Sequence, residues 1–200
     1  MKGLRPYSNW TRSSSLIIFR CVLKTSRDCL TGTDRVAEVS EKIEADQYIN
    51  LQGDEPIFPV EDLKLFINKV IKKPEEIHTA VTKIKSELDY KNLSIPKMVF
   101  SKTKRLLYSS RASIPSNKKG SFNVGFKHIC VYAFNKNHLK AFKDYGEKSF
   151  FENEEDLEIN RFLELDFIVN CVELKKGGKA VDTKDDLEIV KGIIIKNESY

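Results

Sequence analysis

Asn50-Leu51-Gln52-Gly53-Asp54-Glu55-Pro56 is the stretch on which the reading of the fold turns. Tyr48 to Gln52 is a run of strand length, and Gly53 and Pro56 punctuate the residues after it, so a strand here hands over to a loop. In open α/β sheets, ligands bind outside the carboxyl ends of strands. An aspartate at that point, then a glutamate, then a proline that stiffens the turn, sets hard oxygen ligands at the mouth of a site. Magnesium takes one or two such carboxylates together with phosphate oxygens. Gly53 lets the backbone approach a nucleotide closely, and Gln52 carries an amide able to read a ribose, a base or a sugar. An ordinary Asx-type turn after a strand fits the same residues, and pattern alone gives the two readings equal weight.

Working outward, strand-like runs alternate with amphipathic stretches. Strands are expected at Tyr48 to Gln52, His78 to Ile84, Lys97 to Phe100, Arg105 to Ser109, Phe126 to Phe134 and Phe167 to Glu173. Helices are expected at Asp34 to Glu44, Pro59 to Lys72, Asn135 to Tyr145, Glu154 to Glu164 and Thr183 to Ile194. In the second of these, Leu63, Phe66, Ile67 and Val70 recur at helical spacing. Thr183 reads as the N-cap of the last helix, with Asp185 and Asp186 in its first turn. This order predicts an α/β fold with a mixed or mostly parallel sheet. Residues 96–134 lack a helical pattern and read as an antiparallel β excursion from it. No repeat or linker divides the chain, so residues 21–200 are expected to form a single domain and residues 1–20 a tail.

Composition bounds the function. The chain has 200 residues, 40% of them hydrophobic, which is ample for a core. Its 34 basic and 29 acidic residues nearly cancel to a formal charge of +5, and that balance does not argue for a nucleic-acid partner. The basic stretch from Lys97 to Arg111 fits a phosphate-facing surface or a solvated strand edge, and the second is the commoner meaning of such runs. Cys21, Cys29, Cys130 and Cys171 form no CxxC pair, so reduced thiols are expected and a structural zinc site or disulfide framework is not. No window has the length of a membrane span and no signal core is evident, so a cytoplasmic location is expected.

A second acidic point is Asp182, just ahead of the last helix. Alone it is more often a turn or capping residue than a metal ligand. As a partner of Asp54 from another strand end, it could help hold magnesium against a triphosphate.

Seven segments share one order along the chain: Thr31-Gly32-Thr33-Asp34-Arg35-Val36-Ala37-Glu38-Val39, Leu51 to Pro56, Ile95 to Phe100, Tyr108 to Pro115, Lys127 to Phe134, Leu157 to Arg161 and Val181 to Leu187. In that order they resemble the S-G-T-D/E-R, V-Q-G-D-E-P, K-V-V-x-D, F-S-R-A-P-I-P, R-H-I-G-I-Y-A-Y, L-E-Q-L-R and V-D-T-P-E-D-L segments of the 3-deoxy-manno-octulosonate cytidylyltransferases, a family of CMP-sugar synthetases. The resemblance implies a Rossmann-like sandwich of the nucleotide-diphospho-sugar transferase type. The implied reaction is CTP plus a sugar acid giving CMP-sugar and pyrophosphate, for lipopolysaccharide biosynthesis.

The same resemblance puts Thr31, Gly32 and Thr33 at the cytosine, and Gln52 and Gly53 at the nucleotide. It gives Mg2+ to Asp54 and Asp182, and the sugar acid to Arg111, His128, Tyr132 and Glu158; Asp54, Asp182 and Arg111 would be the catalytic set. Arg111 can pair bidentately with a carboxylate, while His128, Tyr132 and Glu158 can hydrogen-bond sugar hydroxyls. By residue type alone, Arg111 and Glu158 also fit structural ion pairs, and His128 a satisfied core histidine. A homodimer is implied, with residues 96–134 serving sugar binding and dimerisation. The family's opening P-A-R-x-x-S-x-R-x-P-x-K loop has no counterpart in residues 1–20, so an N-terminally truncated domain is expected. An amino-octulosonate or sialic-type acid as substrate, and a non-catalytic remnant, are the alternatives.

Overall fold

The computed structural model describes residues 22–178, 180, 181 and 184–197. Its elements are α1 (Gly32–Lys42), β1 (Tyr48–Leu51), α2 (Val60–Lys72), β2 (Ile77–Lys83), α3 (Glu87–Lys91), β3 (Lys97–Phe100), β4 (Leu106–Ser110), β5 (Phe126–Phe134), α4 (Lys136–Asp144), α5 (Phe150–Glu155), α6 (Ile159–Glu164), β6 (Val169–Glu173) and α7 (Lys184–Asn197). One mixed sheet runs β4-β3-β5-β2-β6, with β1 also pairing β5. Of the two forms expected, mixed is the one observed: among the described residues only β2 and β6 pair in parallel, and the other ladders are antiparallel. Residues 96–134 are antiparallel, and they belong to the same sheet, with β5 at its centre.

β5 is apolar on both faces, and its side chains divide by the period of a strand. Tyr132 and Phe134 join one core layer with Ala37, Leu139, Phe142 and Phe162 from the helices α1, α4 and α6. Ile129, Val131 and Ala133 join the other, under Phe66 and Val70 of α2. Fully burying a side chain such as Phe66 stabilises by about 1.5–3 kcal/mol. β2 has partners on both sides, β6 and β5. With β2 along one side of β5, β3 and β1 share the other: β3 and the residue before it meet Lys127 and His128, and β1 meets Val131 to Phe134. The two strands leave a gap between them at Ile129 and Cys130.

Three expectations are corrected. The single helix at Glu154 to Glu164 is two helices, because Asp156 takes the left-handed conformation (φ 50°) that ends α5 and turns Leu157 into the core. Aspartate is one of the few residues that tolerates this conformation. The one-turn helix α3 was not expected, since five residues show no period; Ser86 caps it by accepting from the Asp89 N–H. In the basic stretch, Lys102, Lys104 and Arg105 lie at the surface side of the sheet, but Lys97 is fully buried. Its ammonium donates to the carbonyls of Asn92 (2.9 Å) and Arg111 (2.5 Å). The Thr183 cap lies outside the described residues.

Candidate active site

The gap in the β5 edge opens into a cavity of about 360 Å³, within the range of small-molecule pockets. The start of α1, the loop after β1, the turn after β4, β5 itself and the turn before α6 reach it, as do the residues ahead of β3, the start of α5 and the loop after β6. Thr31, Gln52, Asp54, Arg111, His128, Tyr132 and Glu158 line it. Of the other sequence-derived candidates, Gly32 and Thr33 adjoin Thr31, Gly53 lies between Gln52 and Asp54, and Asp182 lies outside the described residues.

The start of α1 is fixed by its sequence. Thr31 is the N-cap; its hydroxyl accepts from the Asp34 N–H, and the Asp34 carboxylate takes the Thr31 N–H and hydroxyl, each at 2.8 Å. This capping box satisfies N–H groups that a helix end leaves open. The Glu158 carboxylate then accepts from the Thr33 N–H at 2.9 Å and from the Gln52 side chain at 2.8 Å, so one group joins three segments. A carboxylate at a helix N-terminus also meets the favourable end of the helix dipole. Gly32 allows the approach, since a Cβ there would stand 3.2 Å from Gln52 Nε2. Burial raises the Glu158 pKa, opposed by its hydrogen bonds to Thr33 and Thr31.

On β5, His128 is buried, with Nε2 3.0 Å from the Thr79 hydroxyl and Nδ1 without a protein partner. Its ring meets Tyr132 edge to face at 5.3 Å. Burial drives the His128 pKa down to about 3 and raises that of the Tyr132 phenol, so both are neutral near pH 7. Arg111 is half-buried and is itself held: Nε donates to Glu155 O (2.7 Å), Nη1 to Leu93 O (3.2 Å) and Nη2 to Asp156 O (3.3 Å). A guanidinium has five N–H groups. Three are committed, one on each Nη makes no hydrogen bond, and the Asp156 carboxylate stands 3.9 Å from Nη2.

In the loop after β1, Asp54 is exposed at the cavity and its carbonyl accepts the Val181 N–H at 2.9 Å. Glu55 turns inward instead. Its Oε1 accepts the Cys130 N–H at 2.9 Å, filling the place in the β5 ladder that neither β1 nor β3 reaches. Burial raises its pKa, with the Cys130 N–H opposing and Asp54 adding to the rise. Sequence reasoning did not give Glu55 this structural part. It also missed Lys127 and Lys148, which bring positive charge to the cavity, although Lys127 stands at the arginine of the R-H-I segment. Lys148 had no such signal.

Among the described residues no group of three or more His, Cys, Asp or Glu side chains could hold a metal. Magnesium does not need one, because phosphate oxygens and water supply most of its ligands.

The family model described as Cytidylyltransferase matches residues 17–170. The chain belongs to that family. Among curated cytidylyltransferases, the 3-deoxy-manno-octulosonate cytidylyltransferase of Protochlamydia amoebophila is 33% identical over 187 residues, covering 90% of this chain and 72% of that one. The enzyme of the same name from Chlorobium phaeobacteroides is 34% identical over 178 residues, covering 86% and 71%. A solved CMP:2-keto-3-deoxy-manno-octonic acid synthetase in complex with CTP superposes with a TM-score of 0.77 at 31% identity, over 85% of this chain and 70% of that one. HddC from Yersinia pseudotuberculosis, at 13% identity and a TM-score of 0.57, shares the fold alone.

Proposed function

We propose that this cytidylyltransferase activates 3-deoxy-manno-octulosonate with CTP, releasing pyrophosphate. The observation that carries the reading is the meeting of Thr31, Gln52, Asp54, Arg111, His128, Tyr132 and Glu158 at one break in the sheet, in a chain whose relatives bear that activity in their names. The anomeric hydroxyl oxygen attacks the α-phosphorus of CTP. A new P–O bond forms, the bond to the bridging oxygen breaks, pyrophosphate leaves, and the hydroxyl proton passes to water.

Thr31, Gly32 and Thr33 pack beside the cytosine at the start of α1, and Gln52 and Gly53 face the nucleotide. Arg111 uses its two remaining N–H groups on the sugar carboxylate, a charge-assisted contact that fixes the sugar's orientation. His128, Tyr132 and Glu158 bond its hydroxyls. The neutral His128 ring has an unsatisfied Nδ1 to offer, and Glu158 is already immobilised by Thr33 and Gln52. Holding both reactants in line is the main source of rate in such a transfer.

The residues suit magnesium: Asp54 is an exposed hard ligand on the cavity, and the backbone of Val181, next to Asp182, is bonded to it. Held by Asp54 and Asp182, the ion would neutralise phosphate charge and acidify the attacking hydroxyl. Pyrophosphate release with CTP, magnesium and 3-deoxy-manno-octulosonate tests the activity, and calorimetric titration with CTP, ATP, GTP and UTP tests the base. CTP is expected to bind tightest; equal or undetectable binding of all four would remove the cytosine pocket.

A further inference from the structure

Asp62, in the first turn of α2, touches none of the cavity, yet it is a buried carboxylate with three partners on one loop. Its Oδ1 accepts the Lys175 N–H at 3.1 Å, and its Oδ2 accepts the Lys176 and Gly177 N–H groups, each at 2.9 Å. Three successive backbone N–H groups converging on one point form an anion nest. Here its occupant is the chain's own side chain. Burial alone would raise the Asp62 pKa; the three donors, Gly177 first, outweigh it and hold the carboxyl below its usual range.

The loop so gripped is fitted closely to the site on its other side. Gly177 has φ +69° and lies on β5, where a Cβ would stand 2.6 Å from Ile129 Cδ1. At Gly178 a Cβ would overlap the Glu55 carboxylate, 1.9 Å from Oε2. Val181 then donates its N–H to the Asp54 carbonyl. Residues 175–177 and Val181 are thus fastened to the segment 54–62 through their backbone N–H groups.

We infer that Asp62 is a positioning residue for the metal–phosphate end of the site: by holding residues 175–177 it sets where Val181 meets Asp54. The inference rests on the reading that Asp54 and Asp182 hold magnesium. Groups that orient a metal's ligands from behind commonly matter about 10- to 100-fold for metal affinity.

The test is the effect of magnesium on CTP affinity, measured by calorimetry with the metal and with EDTA, on the full chain and its Asp62→Ala and Asp62→Asn variants. In the parent chain magnesium tightens CTP binding. Asp62→Ala is expected to lose about 10-fold or more of that tightening, with CTP affinity in EDTA unchanged. Asp62→Asn, which keeps one acceptor oxygen, falls between, and it alone decides if the alanine variant does not fold. Parent-like tightening in the variant overturns the inference, as does an equal loss of CTP affinity in EDTA, which would mark a general structural role. If magnesium leaves CTP affinity of the parent unchanged, the metal reading itself fails, and the inference with it.

Discussion

Replacing Arg161 with methionine removes the charge at the centre of the helical layer. Arg161 is fully buried. It makes a two-pronged pair with Glu152 (Nε to Oε2 2.5 Å, Nη2 to Oε1 2.7 Å), donates to Asp34 Oδ1 at 3.3 Å and to Phe142 O at 3.2 Å, and stacks 3.7 Å from the Phe142 ring centroid. Methionine keeps much of the volume but leaves the Glu152 carboxylate, itself 1% exposed, without its counter-charge. Breaking a buried pair from one side costs about 3–5 kcal/mol. In a domain of this size each kcal/mol moves the thermal midpoint by about 2–4 °C, so a fall of about 6–20 °C is expected by calorimetry or circular dichroism.

The stronger test is the pair. Glu152→Gln still accepts the Ser149 N–H that Glu152 Oε2 now holds, so Glu152→Gln combined with Arg161→Met should be more stable than Arg161→Met alone by about 1–3 kcal/mol. A midpoint for Arg161→Met within about 2 °C of the parent, or costs that simply add in the double variant, would refute the account of a desolvated charge.

His128 is neutral in the fold with a pKa of about 3, while the unfolded chain takes up its proton below about 6.5. Its stabilisation is complete above pH 6.5 and is lost as the pH falls toward 3, about 2 kcal/mol by pH 5, so His128→Gln should flatten that part of the stability curve in urea melts at pH 7.5 and 5.0; parallel curves would contradict it. Glu158 carries a raised pKa, so its burial costs stability above that pKa and protonation relieves the cost. Glu158→Gln should therefore not lower the thermal midpoint at pH 8 while it reduces pyrophosphate release; a lower midpoint would show that the carboxylate serves the fold. Gly32→Ala gains up to about 1 kcal/mol of helix propensity but pushes on Gln52, so stability should hold while CTP affinity falls several-fold in a titration. Unchanged affinity would detach Gln52 from the nucleotide.

The fold was most legible where pattern and packing coincide. β3 and β5 have the bounds expected from the sequence, because each ends in an apolar run, Met98 to Phe100 and Ile129 to Phe134, followed by a polar residue. The break between α5 and α6 was not legible: the stretch has helical spacing, and the left-handed Asp156 is held by distant contacts to Lys148 and Arg111. For the site, six of the seven ordered segments bring residues to the cavity wall, while Asp182 of the seventh lies outside the described residues. Asp62, and the inward turn of the Glu55 expected as a ligand at the mouth, escaped because their partners are backbone N–H groups far along the chain. Cys130 lies 75 residues from Glu55, and Gly177 lies 115 from Asp62. A backbone N–H is the same at every residue, so sequence carries no mark of such a pairing.

The bond from the Cys130 N–H to Glu55 also makes a clock. The β5 amides paired with β1 and β2 exchange their hydrogens with solvent when the sheet opens. The Cys130 amide, held by a side chain from the loop after β1, exchanges when that loop lifts. Its rate, set against those of the β5 amides paired with β1 and β2, separates motion at the mouth of the cavity from breathing of the sheet, with no label added and no residue changed.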